Sequence, residues 1–339
     1  MRGPGLRLVL ASVLLLGATG LWFRDNLYVL DILILILIWG LASTAWNLVG
    51  GFQNQLALGH SAYFAIGAYT STLLYLNASL SPWLGVWLGA LLGAALAAFI
   101  GWLCLRLRGA FYALATFALS QVVLIVALVW SSVTNGAEGL AIPYQPDPAD
   151  WIFESRFAYF AIYLGFMLAY LVITLLFQRA RIGLASAALS ADEEAASALG
   201  VHVLRAKILA AALSGGLTAI AGTAYAQYVL FIYPQSVAGV QFSIQVALIA
   251  TFGGVATLYG PLLGAILLIP LTAILTSALS GAATSGAPGV INMTYGLILM
   301  ITFLYLPRGI GPTAISFVRR HGPGRRGPGW LSRAERADG

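Results

Sequence analysis

Between Tyr28 and Val49 the sequence runs YVLDILILILIWGLASTAWNLV, an apolar stretch interrupted by one charged side chain, Asp31. Its apolar residues neither alternate nor leave a polar stripe, which excludes a half-buried strand and the amphipathic helix of a soluble domain. About 20 such residues are what a helix needs to cross the hydrocarbon core of a bilayer, where every backbone polar group must be satisfied within the segment. Similar runs recur along the chain. Of its 339 residues 60% are hydrophobic and 8% charged, whereas soluble domains average roughly 45–50% and about 25%. Mean hydropathy is +0.91. Because the runs are continuous, a polar-lumened β-barrel is excluded as well. The expected fold class is all-α, a polytopic transmembrane helical bundle.

Ten spans are predicted, near 7–23, 28–49, 56–78, 82–104, 110–131, 156–178, 207–228, 239–257, 260–281 and 287–306. They make 1–310 one membrane domain. The remaining 311–339 is a basic, Gly/Pro-rich tail with too little apolar content to fold alone. Basic residues orient the spans, since lysine and arginine collect in cytoplasmic loops. With both termini cytoplasmic, all of the 17 basic residues except Arg24 and Arg156 fall inside. The loop 132–155 then faces the periplasm and the loop 179–207 the cytoplasm. The first run, with its basic start and small-residue end, reads as an uncleaved helix in preference to a secretory leader, because its cleavage region is poor. Cys104, alone and inside a span, implies neither a disulfide framework nor a thiol catalyst.

Small and polar residues within the spans carry the next level of information. Gly85, Gly89, Gly93, Ala97 and Gly101 recur every fourth position and predict a face on which a second helix packs closely. Asn47, Gln53, Asn54, Gln55, His60, Ser61, Tyr63 and Thr70 cluster about a Gly50-Gly51 break. Two readings of that cluster stand: an interruption reaching a water-accessible path, or a turn with interhelical hydrogen bonds beside it. His60, with no acid or cysteine nearby in sequence, reads as a hydrogen-bonding helix residue before a metal ligand or proton carrier. Gln241 and Gln245 share a helix face, followed by Gly253-Gly254 and Gly260-Pro261, which mark a tight re-entry. The two Gly-Gly breaks hint at an internal duplication.

One segment departs from the rest. SADEEAASALGVHVLRAK, Ser190 to Lys207, places three acids together in a loop otherwise rich in basic residues. Ser190 with Glu193 fits a capping box, Asp192, Glu193 and Glu194 suit a helix N-terminus, and Gly200 is a natural stop. A helix of two to three turns near 191–199 is expected, with Ala195, Ala196 and Leu199 on one small apolar face. So short a helix needs something to dock against.

EAASALG, Glu194 to Gly200, resembles the EAA-x3-G coupling motif of ABC importer permeases. In order along the chain, NLVGGFQNQLALGHSAYFAIGAYTS, LRLRGAFYALATFALSQ, TNGAEGL, the block from Arg181 to Ala226 and FGGVATLYGPLLGA resemble LivM-type permeases of branched-chain amino acid importers, over about 28–310. The resemblance implies a five-part assembly in the bacterial inner membrane: this subunit, a paralogous LivH-type permease, two LivG/LivF-type ATPases and a periplasmic binding protein, with lipid around it and no nucleic acid. It implies that the 192–200 helix docks on an ATPase. It also implies that ATP and Mg are used by those partners, with no cofactor bound by this chain. Independently, a P-loop needs G-x-x-x-x-G-K-[ST], and the sole lysine, Lys207, is not preceded by glycine. No H-E-x-x-H or G-x-S-x-G motif points to an enzyme. Asn47, Gln53, Asn54, Gln55, His60, Ser61, Tyr63, Gln241 and Gln245 are the candidate translocation path. Leucine, isoleucine and valine are the expected cargo, with urea, short-chain amides or aromatic acids as alternatives. An ion-coupled secondary transporter is the other class left open.

Overall fold

The structure, a computed structural model, describes residues 4–104, 107, 109–282 and 296. Its helices are α1 (Pro4–Trp22), α2 (Leu27–Gly50), α3 (His60–Ala78), α4 (Pro82–Cys104), α5 (Ala110–Val129), α6 (Ser131–Thr134), α7 (Arg156–Arg179), α8 (Arg181–Ala191), α9 (Glu193–Ala198), α10 (Val203–Val229), α11 (Pro234–Ala238), α12 (Val240–Gly253) and α13 (Gly260–Ala282). The strands among the described residues are β1 (Leu140–Ala141) and β2 (Phe231–Ile232), an antiparallel pair. The fold is all-α. Leu27–Gly50, Pro82–Cys104, Ala110–Val129, Arg156–Arg179, Val203–Val229 and Pro234–Gly253 are each long and apolar enough to cross a membrane, and the chain is a multi-pass membrane protein. The first nine predicted spans fall on helices. The tenth, near 287–306, lies outside the described residues, as do Arg106, Arg108 and the basic tail.

Around the central α2 pack α7, α10, α12 and α13. Its Leu30, Ile34, Leu37, Leu41 and Leu48 are all but inaccessible, as expected for a helix that is apolar on every side. At one end of the bundle, Asp31 of α2 pairs with Arg156 at the start of α7 and accepts a hydrogen bond from Tyr228 near the end of α10. The one acid inside the predicted spans is thus paired with a cation and hydrogen-bonded to a phenol.

The glycine stripe on α4 is a packing seam. Gly85 lies against Ser71, Gly89 against Gly67, Gly93 against Gly215 and Ala219, and Gly101 against Ala211. Here α3, α4 and α10 approach backbone to backbone. A Cβ on Gly67 would land on the carbonyl of Ala219, and one on Gly222 on the carbonyl of Phe64. Thr223 Oγ1 donates to the Gly67 carbonyl at 2.9 Å across the same contact. Without a hydrophobic drive between helices in lipid, such close contact and cross-helix bonding supply the association.

The loop 132–155 was expected to be a polar connection, and its local structure is richer than that. Trp151, fully buried, stacks on Trp83 with ring centroids 4.3 Å apart and on Phe166 at 5.4 Å. Trp83 Nε1 donates to the Pro148 carbonyl at 3.0 Å. TNGAEGL forms a tight turn with positive φ at Asn135, Gly136 and Gly139, and β1 then pairs with β2. The loop is therefore a folded cap anchored by one indole. Trp151→Ala removes that anchor at a cost of about 3 kcal/mol or more. It is expected to make the 140–155 segment cleavable by protease in membranes where the wild type resists, which a timed digest with an epitope tag would read.

Candidate functional site

At the opposite end of the bundle the chain leaves α7 and turns at once into α8. Gly183 allows that turn, because a Cβ there would strike the Phe177 carbonyl. Part of the expected loop 179–207 is thus helix, and the small or apolar residues Gly183, Ser186 and Leu189, three apart, are the ones it buries.

α9 follows directly. Asp192 is its N-cap, with Oδ1 accepting from the amides of Glu194 at 2.9 Å and Ala195 at 3.0 Å. The expected Ser190 capping box does not form. Because α8 continues to Ala191, Ser190 is itself helical and donates back to the Ala187 carbonyl at 2.8 Å. At the far end, Gly200 adopts φ +84. Its amide donates to the Ser197 carbonyl and that of Val201 to Ala196, each at 3.0 Å, which is the Schellman arrangement that glycine permits. α9 is six residues long, shorter than predicted.

The predicted apolar face divides. Ala196 is buried and packs with Leu189 of α8 and Ala206 of α10. Leu199 is 86% exposed, and Ala195 is exposed beside Glu194. The division follows from the short helix: one side must seat on its own chain to be stable at all. Lys207 of α10, 5% exposed, completes the seat by donating to Glu193 Oε2 at 2.9 Å. A buried ammonium needs such a carboxylate, since leaving it unpaired is strongly unfavourable.

The candidate path residues have diverse placements. Asn47 is fully buried at the end of α2, where Nδ2 donates to the Thr257 carbonyl at 2.9 Å and Oδ1 accepts from the Ala256 amide at 3.0 Å. It joins the Gly50-Gly51 break to the Gly253-Gly254 break; α12 ends at Gly253, short of the predicted 257, where Gly254 takes φ 125. Gln53, also buried, donates to Ser186 Oγ of α8 and to the Ala206 carbonyl of α10, both at 3.1 Å. Asn54 is exposed with φ 53, and Gln55 is half-buried. His60 Nε2 meets Ser214 Oγ at 2.8 Å, and Tyr63 packs edge-on to the His60 ring at 5.4 Å. The Ser61 amide donates to Ser243 Oγ of α12 at 2.8 Å. Gln241 is exposed, and Gln245 lines an outer groove with Trp39 and Ile269. Those glutamines lie across α12 from Ser243, so the structure does not bring them together with the α3 residues.

α3 carries a feature that the cluster only partly anticipated. Ser61 Oγ, Tyr69 OH and Thr72 Oγ1 are buried without a hydrogen-bond partner among the described residues. Their spacing places all three on one side of the helix. Buried hydroxyls are ordinarily satisfied. Among the described residues no group of His, Cys, Asp and Glu could hold a metal ion.

Comparison with known proteins places this architecture. No solved structure matches the chain. The chain is 28% identical over 291 residues to the high-affinity branched-chain amino acid transport system permease protein LivM of Escherichia coli (strain K12), an alignment covering 78% of this chain and 67% of that protein. To the LivM protein of Salmonella typhimurium it is 28% identical over 266 residues, covering 70% and 61%. The profile of the family described as "Branched-chain amino acid transport system / permease component" matches residues 28–306, from the start of α2 past the end of α13. The chain belongs to that family of permease components.

Proposed function

We propose that this chain is one membrane-spanning half of an ABC importer, taking a branched-chain amino acid from a binding protein and releasing it inward at the expense of ATP hydrolysed by other subunits. The observation that carries the reading is α9: a capped, Schellman-terminated helix, clamped to α10 by Glu193–Lys207 and holding Leu199 out from the surface. In this reading α9 seats on an ATPase subunit of the LivG/LivF type, with Ala195, Leu199 and the acids Asp192, Glu193 and Glu194 at or beside the contact. The basic end is then cytoplasmic, the cap 132–155 is periplasmic, and the membrane is the bacterial inner membrane. A LivH-type permease completes the pair. ATP-driven approach of the two ATPases moves α9 and rocks the bundle between its two openings.

For the path itself, His60 and Tyr63 project from one side of α3, where His60 is bonded to Ser214, and we place the solute along the other side, which bears Ser61, Thr72 and Tyr69. Unpaired buried hydroxyls there would be satisfied by water or by a polar solute when the helices part. The names of the relatives favour leucine, isoleucine and valine; urea, short-chain amides and aromatic acids remain the alternatives. Against ion coupling stands the use of Asp31 in a pair with Arg156 and Tyr228, since an intramembrane acid is the usual carrier of such a function.

The deciding experiment is a mild-detergent pull-down of the tagged chain from native membranes, with mass spectrometry of its companions. Recovery of P-loop ATPases and a second permease is expected. A chain that comes down alone in several detergents, while uptake follows the ion gradient at constant ATP, overturns the reading.

A further inference from the structure

Gln53 ties the α8–α9 hairpin directly to the segment opening α3 through its bond to Ser186. We infer that it is a positioning residue for transport, a strut that converts movement of α9 into movement of α3. The inference rests on the coupling role proposed for α9.

Both hydrogens of its buried carboxamide are committed, and they point to different elements: one to Ser186 Oγ on α8, the other to the carbonyl of Ala206 on α10. Ala206 also forms part of the apolar seat of α9, with Leu189 and Ala196. The strut and the seat therefore meet at one residue. On its other side, Gln53 belongs to the 51–59 segment, which is held firmly along its length. Trp46 Nε1 donates to the Ala57 carbonyl at 2.8 Å, and the Leu58 amide donates to Thr116 Oγ1 of α5 at 3.1 Å. That segment runs straight into His60, the first residue of α3, whose ring is bonded to Ser214. A shift of α8 and α9 relative to the bundle thus has a hydrogen-bonded route to the start of α3 through this amide, beside the packing of α10 on α3. Covalent connection alone would deliver it only through α7 and α10. Coupling carried by a packed hydrogen-bonded chain of this kind requires evidence of coupling and not of contact alone.

A brace that merely stabilises the fold would lower transport and ATP hydrolysis together; a strut changes their ratio. The test is therefore made on the complete importer in proteoliposomes, with solute moved and ATP hydrolysed measured in the same vesicles. Gln53→Leu keeps the volume and removes both bonds. It is expected to lower solute moved per ATP about tenfold, with ATP hydrolysis per complex within about twofold of wild type. Ser186→Ala, which deletes only the α8 partner and hardly perturbs packing, is expected to move the ratio in the same direction by about threefold. It decides the matter should Gln53→Leu fail to assemble. An unchanged ratio in the assembled variants, whether both activities are normal or both fall in step, overturns the strut. A wild-type chain that assembles with no ATPase is a different failure: it removes the coupling role of α9, and the strut with it.

Discussion

Gly67→Leu is expected to leave no folded bundle. Three helices meet at this position: the Gly67 carbonyl accepts from Thr223 of α10, Gly89 of α4 lies against its backbone, and a Cβ would land on the Ala219 carbonyl. Inserting methylenes into a well-packed core generally costs about 1–3 kcal/mol through displaced side chains. Here the obstacle is the main chain of α10 at Ala219, which cannot move aside without opening the α3–α4–α10 seam. The resulting loss should exceed that range and approach the whole net stability, about 5–15 kcal/mol for typical domains. The check is size-exclusion chromatography of detergent-extracted protein. The wild type should give a sharp peak, and Gly67→Leu aggregated material or none. Gly165→Leu on α7 is the control, because a Cβ there meets nothing within 4 Å, and it should elute normally. A sharp Gly67→Leu peak with an unshifted melting temperature would mean that α3 and α10 do not need this contact.

Gly200→Val is expected to abolish uptake while leaving the bundle intact. At φ +84 a β-branched residue is a steric outlier, and left-handed backbone costs about 1–2 kcal/mol even for an ordinary L-residue. The Cβ itself would enter open space, so the penalty falls on the local backbone alone. α9 has six residues and little stability to spare. Its two closing hydrogen bonds should be lost and Leu199 displaced. Uptake by cells relying on this importer should fall more than tenfold, about 1.4 kcal/mol of lost coupling, at unchanged membrane abundance. Leu199→Asp approaches the same surface differently. It keeps the Schellman turn and places a charge where an apolar side chain is 86% exposed. Normal uptake by both variants at normal abundance would sink the docking role of α9.

Much of this architecture is legible in the amino-acid order because the relevant physics is local. Apolar runs of bilayer length can only be helices, so the all-α bundle and the approximate bounds of nine helices follow from α2, α4, α7 and their like. The stripe Gly85, Gly89, Gly93, Ala97 and Gly101 needs only helical periodicity to be recognised as a close-packing face. Asp192 among acids, and Gly200 after an Ala-rich turn, announce a short helix and its end. The N-cap is Asp192 and not Ser190, because Ser190 lies in the last turn of α8.

The polar cluster shows where such reading stops. Asn47, Gln53, His60 and Ser61 form one group in sequence, yet the fold sends them to different partners: Asn47 to Thr257, 210 residues away, Gln53 to Ser186, 133 away, and His60 to Ser214, 154 away. A buried amide or hydroxyl takes its role from whatever the fold places within about 3 Å of it, and no periodicity carries that information. Trp151 lies in a segment rich in proline and acids, and only the stacking rings of Trp83 and Phe166 make it an anchor. The residues themselves determined that this chain crosses the membrane as helices, bears a short capped helix between two of them and lacks a P-loop. The tertiary structure decided which small and polar side chains brace the bundle, which stand unpaired along α3, and that Ala196 turns inward while Leu199 turns out. Helix formation is a property of a few neighbouring residues, whereas burial and pairing depend on surfaces brought together from the whole chain.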